Sequence, residues 1–110
     1  MDMETWHVEF VNSTAEAEFL ELPKDVQARL TRTLELFEVH GPAALVMPLA
    51  KPVRDKLWEL RARGRDGIAR SLYVLTDGKR MVIARTFAKK TRKTPSREIA
   101  LALKRLEDMT

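Results

Sequence analysis

Arg61, Arg70 and Arg85 are spaced so that two hairpins would bring them side by side, and Lys89, Lys90, Arg92 and Lys93 follow directly. Guanidinium groups hold a phosphate through paired, charge-assisted hydrogen bonds, and several together stabilise the charge that builds during attack at phosphorus. The chemistry this points to is binding and electrostatic activation of a phosphodiester. Register decides whether the three arginines meet. A two-residue turn at Asp77–Gly78 sets Leu72 opposite Ile83 and Arg70 opposite Arg85, and a loop over residues 64–67 sets Arg61 opposite Arg70. Like charges directly opposite one another weaken a sheet pair, so such a row serves stability poorly and suits an anion-binding face. Two devices would cancel it: carboxylates such as Glu59 that neutralise the arginines, or a bulge that breaks the register.

Lys89 and Lys90 extend the basic region at the strand's edge, and Arg92, Lys93 and the start of the last helix add donors. The bland alternative for this stretch is a solvated, charged connection. Tyr73 falls on the opposite face from Arg70 by strict alternation, either as a core aromatic or as a base-stacking or proton-transfer group. Phe87 shares a face with Arg85 and reads as core. His7 and His40 both lie in the acidic half of the chain, which speaks against a histidine-pair nuclease. There is no HExxH, P-loop or GxGxxG, and the carboxylates are too scattered for a two-metal nuclease. The expectation is metal-independent chemistry without a cofactor.

These residues need a scaffold. "TWHVEFV" (5–11) alternates like a strand, and "NST" offers a cap to a short helix through "AEAEFLEL". Residues 22–41 read as a second helix, with Pro23 in its first turn, Gly41 beyond its end, and Val26, Leu30, Leu34 and Phe37 as its apolar stripe. "GPAALVMP" suggests a further helical turn. Strands follow at 56–62, 68–76 and 80–87. A last helix starts with Thr94 as its cap, Pro95 at its first position and Glu98 in its first turn, and carries Ile99, Ala102, Leu103 and Leu106 on one face. The expected fold is α+β: an antiparallel sheet with two N-terminal helices and one C-terminal helix, in the order β-α-α-β-β-β-α. No linker or repeat interrupts it, so residues 1–110 read as a single domain.

Composition sets the outer bounds. Residues 1–50 hold three basic and nine acidic residues, a net of −6; residues 51–110 hold 17 basic and seven acidic, a net of +10. This asymmetry points to a polyanion or an acidic partner, or to one half neutralising the other by packing. Hydrophobic content of 45% supports a core. The absence of cysteine excludes disulfides and thiolate metal sites. No apolar run approaches membrane-spanning length and no signal-peptide pattern opens the chain, which implies a cytoplasmic protein away from membranes. One Tyr, two Trp and four Phe are too few for a multi-aromatic stacking platform.

"LWELR" (57–61), Arg70 and Tyr73 in the next strand, and "FAKKTRKTPSREIALALKR" (87–105) resemble the HigB-like, phage-associated branch of the RelE/ParE toxin superfamily over residues 5 to 108. The resemblance implies a RelE-like fold and a toxin of a type II toxin–antitoxin module. Many such toxins cleave mRNA on the ribosome, without metal, by attack of a ribose 2′-hydroxyl on the adjacent phosphate. It further implies that Arg61, Arg70, Lys89 and Lys90 bind and polarise the scissile phosphate, with Tyr73 in a supporting or proton-transfer role. Arg85, Arg92 and Lys93 then contact RNA. The implied partners are mRNA, the ribosome and a helix-turn-helix antitoxin of the HigA kind, through which alone the operator DNA is bound. Relatives often carry His where this chain has Arg85, which removes an imidazole acid or base. The superfamily also contains ParE-like toxins that act on DNA gyrase without nuclease activity, and that reading stays open.

Overall fold

A computed structural model describes residues 5–46, 49–89 and 92–109. Its elements are β1 (His7–Phe10), α1 (Ser13–Leu20), α2 (Lys24–His40), a 3-10 turn (Gly41–Ala44), β2 (Ala50–Arg54), β3 (Leu57–Arg63), β4 (Ile68–Thr76), β5 (Arg80–Lys89) and α3 (Ser96–Asp108). The five strands form one sheet in the order β1-β5-β4-β3-β2. The class is α+β as expected, with two differences. The strand β2 joins the edge beyond β3, and β1 pairs parallel to β5, so the sheet is mixed.

Each helix forms where local chemistry satisfies its ends. The Asn12 side chain accepts from the Ala15 N–H at 2.8 Å and opens α1. Pro23, which lacks an N–H, stands at the N-cap of α2, and Gly41 ends that helix with φ +69°. The Gly41 position also needs its missing side chain: a β-carbon there would lie 2.5 Å from Trp6 Nε1. The apolar stripe of α2 (Val26, Leu30, Leu34, Phe37) is buried against one side of the sheet, on Leu60, Tyr73, Met81 and Ile83. The stripe of α3 covers the other side, where Ile99 and Ala102 pack on Leu57, Leu72, Ala84 and Phe87. Fully burying a side chain of this size contributes roughly 2 kcal/mol, so both layers are firmly docked.

The β4–β5 hairpin departs from the two-residue turn. Thr76 pairs with Arg80, leaving Asp77, Gly78 and Lys79 as the loop, with Gly78 and Lys79 at φ +81° and +57°. A bulge follows: Tyr73 pairs with Ile83 but Leu72 with Arg85, which leaves Ala84 as the extra residue. Arg70 therefore stands opposite Phe87, not Arg85. The β3–β4 register is the expected one, with Arg61 opposite Arg70.

Candidate active site

On the α3 side of the sheet, Arg61 and Arg70 face each other across β3 and β4. Two cations in that arrangement repel unless something intervenes. Glu59, two residues before Arg61 and on the same side of β3, supplies the counter-charge: it has no accessible surface, and its Oε2 lies 2.9 Å from Arg61 Nε, too poorly aligned for a hydrogen bond. The Thr94 hydroxyl donates to Glu59 Oε1. This overturns the expectation that Thr94 caps α3, whose N-cap is Pro95. Arg61 Nη2 donates to the Arg92 carbonyl at 2.5 Å, and Arg70 Nη1 to the Lys93 carbonyl at 3.1 Å. Arg70 is wholly buried; burial and then the neighbouring Arg61 charge push its pKa down, with Glu59 opposing them. A guanidinium nonetheless keeps its proton in proteins.

The next row facing the same side of the sheet reads Arg63, Ile68, Lys89. Arg63, Arg92 and Lys93 are exposed and Lys89 is half-buried, so this end of the sheet gathers cations around the arginine pair. A cavity of about 150 Å³ opens between Leu49, Arg61, Arg63 and Ile68. A second groove is lined by Lys51, Lys93 and Thr94. Lys90 lies outside the described residues. Among the described residues, no group of three or more His, Asp or Glu side chains gathers as a metal ion requires.

Two sequence candidates fall away from this cluster. Arg85 is displaced from the row by the bulge and enters an internal ion network. Its Nε donates to Glu98 Oε1 at 2.7 Å, its Nη1 lies 2.7 Å from Glu18 Oε2, and its guanidinium rests over the Phe87 ring. Burial works against its charge, but the hydrogen bond it donates to Glu98 and the nearby carboxylates outweigh burial and hold the guanidinium above its ordinary value. Both cancelling devices, neutralising acids and a bulge, thus act on this arginine. Tyr73 faces α2 in the opposite layer and is 1% exposed; burial pushes its phenol up. It packs in the core on the opposite side of the sheet from the arginine pair.

Glu18, Glu98 and Arg105 complete these arrangements and are not among the sequence candidates, whereas Glu59 is the neutralising acid that the sequence suggests. The signal for Glu59 is its alternation with Arg61 in "LWELR".

Residues 17–107 match the family model described as Phage derived protein Gp49-like (DUF891). The chain belongs to this family. The matched span of the Gp49-like protein includes both arginine hairpins and all of α3 except Asp108. Its fold is that of RelE toxins. The E. coli toxin RelE, solved free as a double arginine-to-alanine mutant, is similar with a TM-score of 0.66 at 17% identity, over 93% of this chain and 98% of that one. RelE in the archaeal RelE–RelB complex from Pyrococcus horikoshii is similar with a TM-score of 0.57 at 20% identity, over 81% of this chain and 99% of that one. No curated protein matches the Gp49-like chain. None of its described helices is long and apolar enough to cross a membrane.

Proposed function

We propose that this Gp49-like protein, as a single domain over residues 1–110, is the toxin of a type II toxin–antitoxin module in the HigB-like branch of the RelE/ParE superfamily. Its activity is ribosome-dependent cleavage of mRNA in the cytoplasm. The observation that carries the reading is the opposed pair Arg61 and Arg70, ringed by Lys89, Arg92 and Lys93 on one side of a RelE-like sheet.

In the proposed reaction the ribose 2′-hydroxyl attacks the adjacent phosphorus, the bond to the 5′-oxygen breaks, and a 2′,3′-cyclic phosphate and a 5′-hydroxyl result. The attacking hydroxyl loses its proton and the leaving oxygen gains one. Arg61, partly accessible, binds a non-bridging oxygen and offsets the charge that grows there. Arg70 supports it from below, and Lys89 and Lys90 supply further positive charge. Arg92 and Lys93 hold the flanking RNA backbone. Neither Arg85, committed to carboxylates, nor Tyr73, buried in the opposite layer, takes part. The proposed partner is a HigA-like helix-turn-helix antitoxin that neutralises the toxin and carries it to the operator. In support, the RelE of P. horikoshii was solved with RelB.

The test is to map transcript 5′ ends in cells after induction of the parent, Arg61→Ala and Lys89→Ala proteins. New ends and growth arrest are expected with the parent, and loss of both with Arg61→Ala. Arrest with intact transcripts would overturn the nuclease reading in favour of a ParE-like toxin, which the complete burial of Arg70 favours.

A further inference from the structure

Two main-chain carbonyls occupy the arginine pair. Residues 92 and 93 lie across β3 and β4 so that the Arg92 carbonyl accepts from Arg61 and the Lys93 carbonyl from Arg70. The next residue, Thr94, is fastened to the buried carboxylate of Glu59. As a result Arg70 has no accessible surface, while the side chains beside it, on Arg92 and Lys93, are exposed.

A buried guanidinium left unsatisfied is costly, so an empty phosphate site built from Arg70 needs substitute acceptors. Carbonyl oxygens serve, but they carry only partial charge and bind a guanidinium less strongly than an ionised oxygen does. A phosphate oxygen can therefore displace them. We propose that residues 92–94 form a strap latched by the Thr94–Glu59 hydrogen bond, and that a substrate phosphate reaches Arg70 only when the strap lifts. Glu59 and Thr94 are then positioning residues: they hold the closed state, in which one Nη of each arginine has a carbonyl acceptor and the pair is shielded without substrate. This rests on the phosphate-binding reading of Arg61 and Arg70.

The test measures modification of individual arginines by phenylglyoxal, read by peptide mass spectrometry, in the parent, Thr94→Val and Thr94→Ser proteins. Exposed Arg63 is the fast reference, and Arg85 and Arg105 report on the rest of the fold. Arg70 is expected to react slowly in the parent and about tenfold faster in Thr94→Val, the shift that follows from removing roughly 1.4 kcal/mol from the closed state. Thr94→Ser, which keeps the hydroxyl, restores the slow rate. The strap is overturned if Arg70 matches Arg63 in the parent, if Thr94→Val leaves its rate unchanged, or if Arg85 and Arg105 gain reactivity in parallel. A non-cleavable oligoribonucleotide, deoxy at the scissile position, is added to Thr94→Val in a second arm. Failure to protect Arg61 and Arg70 there would overturn the phosphate-site reading while leaving the strap in place.

Discussion

Glu18 of α1 grips Arg105 of α3 with both carboxylate oxygens, at 2.9 and 2.8 Å, and so ties the first helix of the chain to the last. The same carboxylate lies 2.7 Å from Arg85 and accepts from the Thr86 N–H at 3.3 Å. Arg105 also donates to the carbonyl of Ala84, at 3.0 Å, and so satisfies the bulge that moves Arg85 out of line with Arg70. With Glu98 the network holds two acids and two bases and is neutral as a whole. It ties the α3 layer and α1 to β5.

Acid should loosen this joint. Burial pushes the Glu18 pKa up, but the hydrogen bonds from Arg105 and the Thr86 N–H, with the charges of Arg85 and Arg105, outweigh burial and leave it below its ordinary 4.5. The unfolded carboxylate thus takes up a proton at a higher pH than the folded one. The stabilisation is complete above the unfolded value and is lost as pH falls through the folded one. Thermal unfolding followed by circular dichroism is expected to show a shallower fall in Tm for Glu18→Gln than for the parent between about pH 5 and pH 3. Parallel curves would refute the link.

Tyr73→Phe is expected to keep full growth arrest, because the ring lies in the α2 layer and not beside Arg61. Tyr73→Ala is different: it removes a buried aromatic and costs about 3 kcal/mol or more of stability. Toxicity assays with urea unfolding separate the two. Loss of arrest in a stably folded Tyr73→Phe protein would return the phenol to the chemistry.

The β3–β4 loop offers a third check. A β-carbon at Gly64 would lie 2.2 Å from Val26 Cγ1 and 2.8 Å from Asp25 Oδ2. This close approach lets the Arg65 N–H reach Asp25 at 3.0 Å, the main cause holding that carboxyl below its ordinary value. Gly64→Ala should push the loop from the start of α2 and cost about 2 kcal/mol, read as a lower urea midpoint with unchanged slope. The Asp25 pKa, followed by NMR, should rise towards its ordinary value.

The sequence carries this architecture unevenly. The stripes of α2 and α3 repeat at the helical period and match their buried faces, because amphipathic spacing is a local property. The strand β2 is hidden: "AKPVR" has a proline at its centre and a register shift beside it, so it shows no clean alternation. Its partner β3 selects it, as β5 selects the parallel β1, and neither choice is written locally. Arg61 opposite Arg70 followed from loop length alone. Arg85 did not, since one further loop residue and the Ala84 bulge each shift the pairing, and "DG" is compatible with both turns. Its acidic partners come from two helices whose docking no short window reveals.

Salt dependence distinguishes the cations that meet RNA from those consumed inside the fold. Each phosphate contact to a single strand releases a counterion and contributes about 0.7 to the slope of log affinity against log salt. Arg92 and Lys93 are exposed beside the arginine pair, whereas the Arg85 guanidinium is engaged by Glu18 and Glu98. Titrating a non-cleavable oligoribonucleotide at several salt concentrations should therefore give a slope smaller by about 0.7 for Arg92→Ala and for Lys93→Ala. Arg85→Lys should leave the slope unchanged, since a cation inside the network does not displace counterions from RNA. The opposite pattern, a reduced slope only for the Arg85 variant, would mean that RNA binding opens the ion network and that the α3 layer, not residues 92 and 93, meets the nucleic acid.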